Sequence, residues 1–339
     1  MHSTIRLFCS DLNWTRYSDT YAPPSLPQDW AFIDPQAYFD WHLAVGNNAM
    51  FCQAYTFCGY AFYPSKLGPV APGPGRDLLP RLFDLSREAG VPFWSYFSVS
   101  WDLIMRGLRR EWTFSHNPAG WCLAPETPWT DLLCERVREF LGQYPVDWIL
   151  FDMFLYGDVE THAFRVRPAS FVGQPFREII GRPMPAAADE ITADESLKYK
   201  REIMARQFRR LRDAVKQTSP ETKILFNVPY TVADAPMWAD HPMLLESDGL
   251  FAECTKPEVM EWLLRVRQPG QRVMTTIIGH TSPGWCDPLL WRRWYARGCD
   301  FFGYAQGTPP DFHPHAFWTE KLEIIREAFR EIEEQEGPP

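Results

Sequence analysis

Asp152 closes the apolar run Trp148-Ile149-Leu150-Phe151, and Glu253 stands near the end of the run from Leu250 to Cys254. A carboxyl group at the end of an apolar segment is costly unless it is hydrogen-bonded or put to chemical use. Two further groups stand in comparable places. Asp11 follows the run from Ile5 to Cys9, and His116 lies in Ser115-His116-Asn117-Pro118. Cleavage of a glycosidic bond needs one carboxyl that protonates the departing oxygen. It needs a second, ionised one that attacks the anomeric carbon or activates water. Asp152 and Glu253 are the best pair for those roles. Asp11 with His116 is the alternative pair. Trp14, Tyr60, Trp101, Asn227 and Tyr230 lie close to the same run ends and supply rings and amides of the kind that bind sugars. Arg109, Arg110, Arg165 and Arg167 could hold a carboxylate on a substrate.

Each of these residues also has a structural reading. Glu253 can serve as an acceptor for a barrel Arg or Trp, and Asp11 can close an Asx turn. His116 has the neighbours of a solvated turn, Asp102 reads as structural, and the arginines read as rim residues.

The elements that must position these groups alternate regularly. Strand-like runs span 5–9, 49–55, 92–99, 148–151, 223–228, 250–254, 272–278 and 301–305. Helical patterns lie between them. Asp34 and Pro35 open the first helix and Gly46 follows it; Gly90 follows the helix over 77–89. Thr127-Pro128 opens another, and a long helix runs over 197–217. Thr255 with Glu258 spells a capping box. Asp287-Pro288 opens a helix that Gly298 closes, and the last helix carries Leu322, Ile325, Phe329 and Ile332.

Eight strand–helix units imply an α/β chain folded as a single (β/α)8 TIM barrel over 1–335, with a short acidic tail over 336–339. A doubly wound sheet would favour a glycine-rich first turn, and Ser10-Asp11-Leu12-Asn13-Trp14 is not one. In a barrel, function sits where strands end. The longest loop there, Met153 to Ser196, is expected to be a partly ordered lid or rim.

Composition excludes several classes. The net charge of −9 argues against a nucleic-acid backbone binder. No apolar run reaches the length of a membrane span, and the N-terminus lacks a signal-peptide core. The eight cysteines form no CxxC pair and read as buried thiols of a cytoplasmic protein. The eight histidines show no ligand spacing, so no metal or other cofactor is expected. Trp, Tyr and Phe make up 15 % of the chain, a content that core packing alone does not explain where Trp stands beside Gly, Pro and Asp. A carbohydrate is the expected partner, and a homo-oligomer is compatible with a standalone barrel.

Several spaced motifs resemble the α-L-fucosidases of glycoside hydrolase family 29, and still more the barrel hydrolases grouped as hypothetical glycosyl hydrolase family 6. They are Gly59-Tyr60-Ala61-Phe62-Tyr63-Pro64-Ser65-Lys66, Arg76-Asp77-Leu78-Leu79, Phe93-Trp94-Ser95-Tyr96-Phe97-Ser98, the helix Leu133 to Tyr144, and Val146 to Asp152. The resemblance spans roughly 34–153. It implies an exo-acting, retaining glycosidase with Asp152 as nucleophile. Three features depart from that pattern: Phe57-Cys58 stands where those fucosidases carry a histidine pair, Trp148 stands where they carry glycine, and the chain ends where they continue into a β-sandwich. A weaker resemblance, to the inverting exo-sialidases of glycoside hydrolase family 156, places Asp11 and His116 in the catalytic roles. Arg109 or Arg110, with Arg165 or Arg167, would then hold a sialic acid carboxylate.

Overall fold

The computed structural model describes residues 3–13, 33–71, 76–113, 122–154, 156, 169–228, 235–277, 287, 289–306 and 316–337. Eight strands form one parallel sheet: β1 (Arg6–Asp11), β2 (Met50–Tyr55), β3 (Phe93–Ser98), β4 (Trp148–Asp152), β5 (Lys223–Asn227), β6 (Gly249–Ala252), β7 (Arg272–Thr276) and β8 (Asp300–Gln306). Their order is β1-β8-β7-β6-β5-β4-β3-β2, the sequence of a barrel read around its wall. The helices packed outside include α1 (Pro35–Val45), α2 (Leu78–Ala89), α3 (Leu103–Leu108), α4 (Trp129–Gln143), α5 (Ala169–Ile180), α6 (Ala193–Thr218), α7 (Ala235–Trp238), α8 (Pro242–Glu246), α9 (Pro257–Val266), α10 (Trp291–Tyr295) and α11 (Ala316–Glu336). The (β/α)8 barrel expected from the sequence is the observed architecture. Among the described residues no helix is long and apolar enough to cross a membrane.

Strand side chains alternate between two environments. Leu7, Cys9, Phe51, Trp94, Tyr96, Trp148, Leu150, Leu225, Phe251, Met274, Phe302 and Tyr304 fill the barrel interior. Phe8, Met50, Cys52, Phe93, Phe97, Ile149, Phe151, Ile224, Phe226 and Leu250 face the helices. The interior near the strand starts is closed by a stacked pair, Trp94 and Trp148, with ring centroids 4.8 Å apart. Gly249 makes room for it, since a Cβ there would lie 3.1 Å from the Trp148 ring and 2.7 Å from Leu225. The tryptophan that departs from the fucosidase pattern is thus matched by a glycine on the next strand but one.

β1 and β2 stand at the two ends of the strand order, and amide side chains join them. Asn47 Oδ1 accepts from the Phe8 amide at 3.0 Å, and its Nδ2 donates to the Phe8 carbonyl at 2.7 Å. Asn48 does the same for the Arg6 amide and the Thr4 carbonyl, both at 2.8 Å. Gln53 Nε2 reaches the Ser10 carbonyl at 3.3 Å. These amides satisfy backbone groups of β1 that would otherwise be an open edge.

Local signals read from the sequence are largely where expected. Asp34 caps α1 through the Ala37 amide, and Gly46 and Gly90 end α1 and α2 in the left-handed conformation. Thr255 does not cap α9. Lys256 holds the cap position, Pro257 starts the helix, and the Thr255 hydroxyl accepts instead from the Asp287 amide at 2.6 Å. The long helix begins at Ala193 rather than 197, behind a complete capping box of Thr192 and Glu195. The insertion after β4 contains α5, which packs on α6 around Phe176, Tyr199 and Ile203. Tyr156 and Tyr199 both donate to one oxygen of Glu126, at 2.6 and 2.8 Å, and so tie the start of this insertion to α6 and to the loop before α4. Glu336, read from the sequence as the start of the tail, is the last residue of α11 and accepts from the Thr4 amide at 2.9 Å.

Asn47→Ala strips partners from a buried backbone N–H and C=O of Phe8. It is expected to destabilise the fold by about 2–4 kcal/mol in urea unfolding. A loss below roughly 0.5 kcal/mol would show that the β1–β2 seam does not depend on that amide.

Candidate active site

The period-two alternation that fills the barrel also aims its last residues. Asp11 continues the interior row of Leu7 and Cys9, and Asp152 that of Trp148 and Leu150. Asn227 follows Leu225, and Glu253 follows Phe251. Four polar groups therefore stand together at the strand ends, over an apolar floor.

Asp152 is buried at 6 % exposure. Its Oδ1 accepts from Asn227 Nδ2 and from the Met153 amide, each at 2.7 Å. Its Oδ2 accepts from the Tyr96 hydroxyl at 2.9 Å. Met153 adopts a positive φ of 53°, which turns its own amide back onto the carboxyl it follows. A non-glycine residue in this conformation is strained, and such strain concentrates at functional positions.

The same Asn227 Nδ2 also donates to Glu253 Oε2 at 3.1 Å. Because both bonds end on one nitrogen, the bonded oxygens of Asp152 and Glu253 lie no more than about 5.8 Å apart. Retaining glycosidases hold their carboxyls about 5–5.5 Å apart, and inverting ones about 6.5–9.5 Å.

Burial pushes the Asp152 carboxyl up to about 6, with the Glu253 charge adding to it. The donors Asn227, Met153 and Tyr96 act in the opposite direction. All three favour the ionised form, which can only accept. With its pKa at about 6, the ionised form of Asp152 predominates at neutral pH. Tyr96 lies fully inside the barrel, and burial with the charges of Asp152, Asp11 and Glu253 raises its hydroxyl well above the ordinary tyrosine range. It remains a donor.

The remaining residues singled out from the sequence fall in different places. Asp11 faces the same mouth, and its Oδ1 accepts from the Asn13 amide at 3.0 Å, the Asx turn of the structural reading. Half-buried Trp101 donates from Nε1 to Cys122 Sγ at 3.0 Å and meets Phe57 edge-on at 5.7 Å. Tyr60 is half-buried in the turn Thr56–Tyr60. Arg109 and Arg110 are exposed on the loop after β3. There Arg109 pairs with Glu111 at 3.8 Å and covers the Trp112 ring at 5.4 Å. Trp14, His116, Arg165, Arg167 and Tyr230 lie outside the described residues. Among the described residues no three His, Cys, Asp or Glu side chains are grouped to hold a metal ion.

Asp102 is structural, as its neighbours suggest. It caps α3 through the Met105 amide and pairs with buried Arg136 at 2.7 Å. Gly59 has a φ of 92°, and a Cβ there would collide with the Asp102 carboxylate. The Tyr63–Lys66 motif has a structural task too. Glu139 on α4 accepts from Tyr63 at 3.1 Å, Ser65 at 2.6 Å and the Lys66 amide at 2.7 Å, which anchors the loop after β2. The seven described cysteines are buried. Sequence reasoning missed Tyr96 and the Met153 amide. The signal for Tyr96 was the alternation that sets its row facing the interior beside that of Asp152.

No family model and no curated protein matches the sequence. Solved structures do. An α-L-fucosidase isoenzyme 2 from Paenibacillus thiaminolyticus superimposes with a TM-score of 0.70 at 18 % identity, over 99 % of this chain and 50 % of that one. An α-fucosidase from Thermotoga maritima gives a TM-score of 0.48 at 18 % identity, over 89 % of this chain and 57 % of that one. This chain therefore spans about half the length of these two structures. At such identities the likeness is one of fold: a (β/α)8 barrel of the kind found in α-L-fucosidases.

The raised Asp152 pKa has a sign that stability measurements can read. The folded protein binds this proton more tightly than the unfolded chain, so the buried charge destabilises the fold above about pH 6. That penalty fades as pH falls from about 6 towards the unfolded value near 4. Asp152→Asn is expected to raise the melting temperature by a few degrees at pH 8 and by less at pH 5. A lower melting temperature at pH 8, or an equal gain at both pH values, would contradict the assignment.

Proposed function

We propose that this chain is an exo-acting, retaining glycoside hydrolase that removes a terminal sugar from an oligosaccharide or glycoconjugate. The observation that carries the reading is the shared Asn227 amide, whose Nδ2 donates to both Asp152 and Glu253 and so keeps the two carboxyls close, as a retaining mechanism requires. Asp152 is the nucleophile. Glu253, half-buried and less enclosed, is the acid that protonates the departing oxygen and then the base that activates water. Asn227 fixes both. Trp14, Tyr60, Trp101 and Tyr230 are assigned to sugar contacts on the rim. Because the barrel superimposes on an α-L-fucosidase, α-L-fucosides are the first substrates to try. Phe57 and Cys58, which stand where fucosidases carry a histidine pair, are buried here, with Phe57 packed on Trp101, so the panel is not confined to fucosides.

The inverting alternative through Asp11 and His116, with Arg165 on a sialic acid carboxylate, has no comparable support. Asp11 is engaged in its own turn, and His116 and Arg165 lie outside the described residues.

The test is a panel of aryl glycosides including α-L-fucosides, β-galactosides and α-sialosides, with proton NMR of the first anomer released. Retained configuration is expected, with kcat lowered by about 10³-fold or more in Asp152→Asn. Glu253→Gln should slow substrates with poor leaving groups far more than activated aryl glycosides. An inverted product, or release from the sialoside alone, would move catalysis to Asp11 and His116. Sugar binding by calorimetry without hydrolysis of any member would leave a binding barrel instead. A second expectation concerns pH: kcat/KM should fall as pH drops through about 6, where Asp152 takes up its proton. A rate that stays flat to pH 4.5 would contradict the nucleophile role.

A further inference from the structure

The three donors on Asp152 are unequally shared between its oxygens. Oδ1 accepts two of them, from Asn227 and Met153, and Oδ2 accepts one, from Tyr96. Each carboxylate oxygen offers two lone-pair directions. Among the described residues Oδ1 is therefore filled, and Oδ2 keeps one direction open. The donor on Oδ2 is held by the packing of the interior. Tyr96 rises from β3 inside the barrel, its ring 3 % exposed and packed edge-on against Phe51. Its hydroxyl cannot leave Asp152 without moving the interior packing.

We propose that Tyr96 is a positioning residue that makes Oδ2 the attacking oxygen of Asp152 and serves that oxygen again when it is expelled. The proposal rests on the nucleophile reading above. In the first step the open lone pair of Oδ2 forms a bond to the anomeric carbon. The bond from that carbon to the departing oxygen breaks with its electron pair, and that oxygen takes the proton of Glu253. The Oδ2 charge is consumed, so the Tyr96 hydrogen bond weakens. In the second step water adds to the anomeric carbon and gives its proton to Glu253. The carbon–Oδ2 bond breaks, and its electron pair returns to Oδ2, where the Tyr96 hydroxyl strengthens its hold as the charge appears. Tyr96 thus assists departure of the carboxylate more than its attack. Among the described residues the titratable groups acting on Asp152 are Tyr96 from β3 and Glu253 beyond β6, with Asp11 at the end of β1 acting on Tyr96; Asn227 from β5 bonds it without charge.

The experiment compares the full chain with Tyr96→Phe in two readouts. The first is the titration of the Asp152 carboxyl carbon by ¹³C NMR, its signal assigned by its loss in Asp152→Asn. The second is the pre-steady-state release of phenol from an activated aryl glycoside. Tyr96→Phe should move the titration midpoint upward by half a unit or more. It should also slow the second step about tenfold more than the first, so that a burst of phenol appears. An unmoved midpoint, or equal slowing of both steps, overturns the role. If Tyr96→Phe does not fold, 3-fluorotyrosine introduced at position 96 keeps the shape and makes a stronger donor. The midpoint should then move downward, and a failure to move overturns the role. Undiminished turnover by Asp152→Asn would overturn the nucleophile reading itself. The two failures are distinguishable because the titration reads the Tyr96 contact whether or not the sugar chemistry is right.

Discussion

A single amide group carries much of this site. The side-chain nitrogen of Asn227 donates to both Asp152 and Glu253. Two like charges at such a distance repel, and a buried carboxylate without donors would simply take up a proton. The Asn227 amide, the Met153 amide and the Tyr96 hydroxyl offset that tendency and leave Asp152 ionised at neutral pH. Each donor comes from a different part of the wall: β5, the strained residue after β4, and β3. The pair therefore holds its geometry only if three strand ends hold theirs.

The barrel supplies that rigidity through volume matching. Trp94 and Trp148, register partners on adjacent strands, stack inside the barrel near the strand starts, and Gly249 leaves space for Trp148. Above them Tyr96 and Leu150 fill the middle layer, and the polar groups close the top. At the β1–β2 seam, side-chain amides of Asn47, Asn48 and Gln53 take the place of a backbone ladder. The loop after β2 is fixed by Glu139, and the loop after β3 by the buried Asp102–Arg136 pair. The strand-four insertion is tied down where Glu126 meets Tyr156 and Tyr199.

What could be read from the sequence follows the range of the interaction involved. Caps are local, and Asp34, Gly46 and Gly90 stand where their residue types place them. The strand centres and the placing of Asp152 and Glu253 at strand ends followed from apolar runs and alternation. Thr255 misled because a distant backbone amide, that of Asp287, claims its hydroxyl. The capping box of Thr192 and Glu195 was visible but lay inside a stretch whose prolines suggested loop. Tyr96 was hidden in Phe93-Trp94-Ser95-Tyr96-Phe97-Ser98, where every second residue is also aromatic or small. Its partner lies 56 residues further on. The Asn227 bridge was illegible for the same reason: the residue type was noted, but its two acceptors are set by barrel closure.

The most direct measurement traps the bond that the proposed mechanism calls for. The chain is incubated with the 2-deoxy-2-fluoro glycosyl fluoride of the sugar it releases, digested, and mapped by mass spectrometry. The arrangement of Asp152, Asn227 and Glu253 predicts one glycosyl adduct, on the peptide containing Asp152 and lost in Asp152→Asn. An adduct on Asp11 or Glu253, or turnover with no adduct and inverted product, would contradict it.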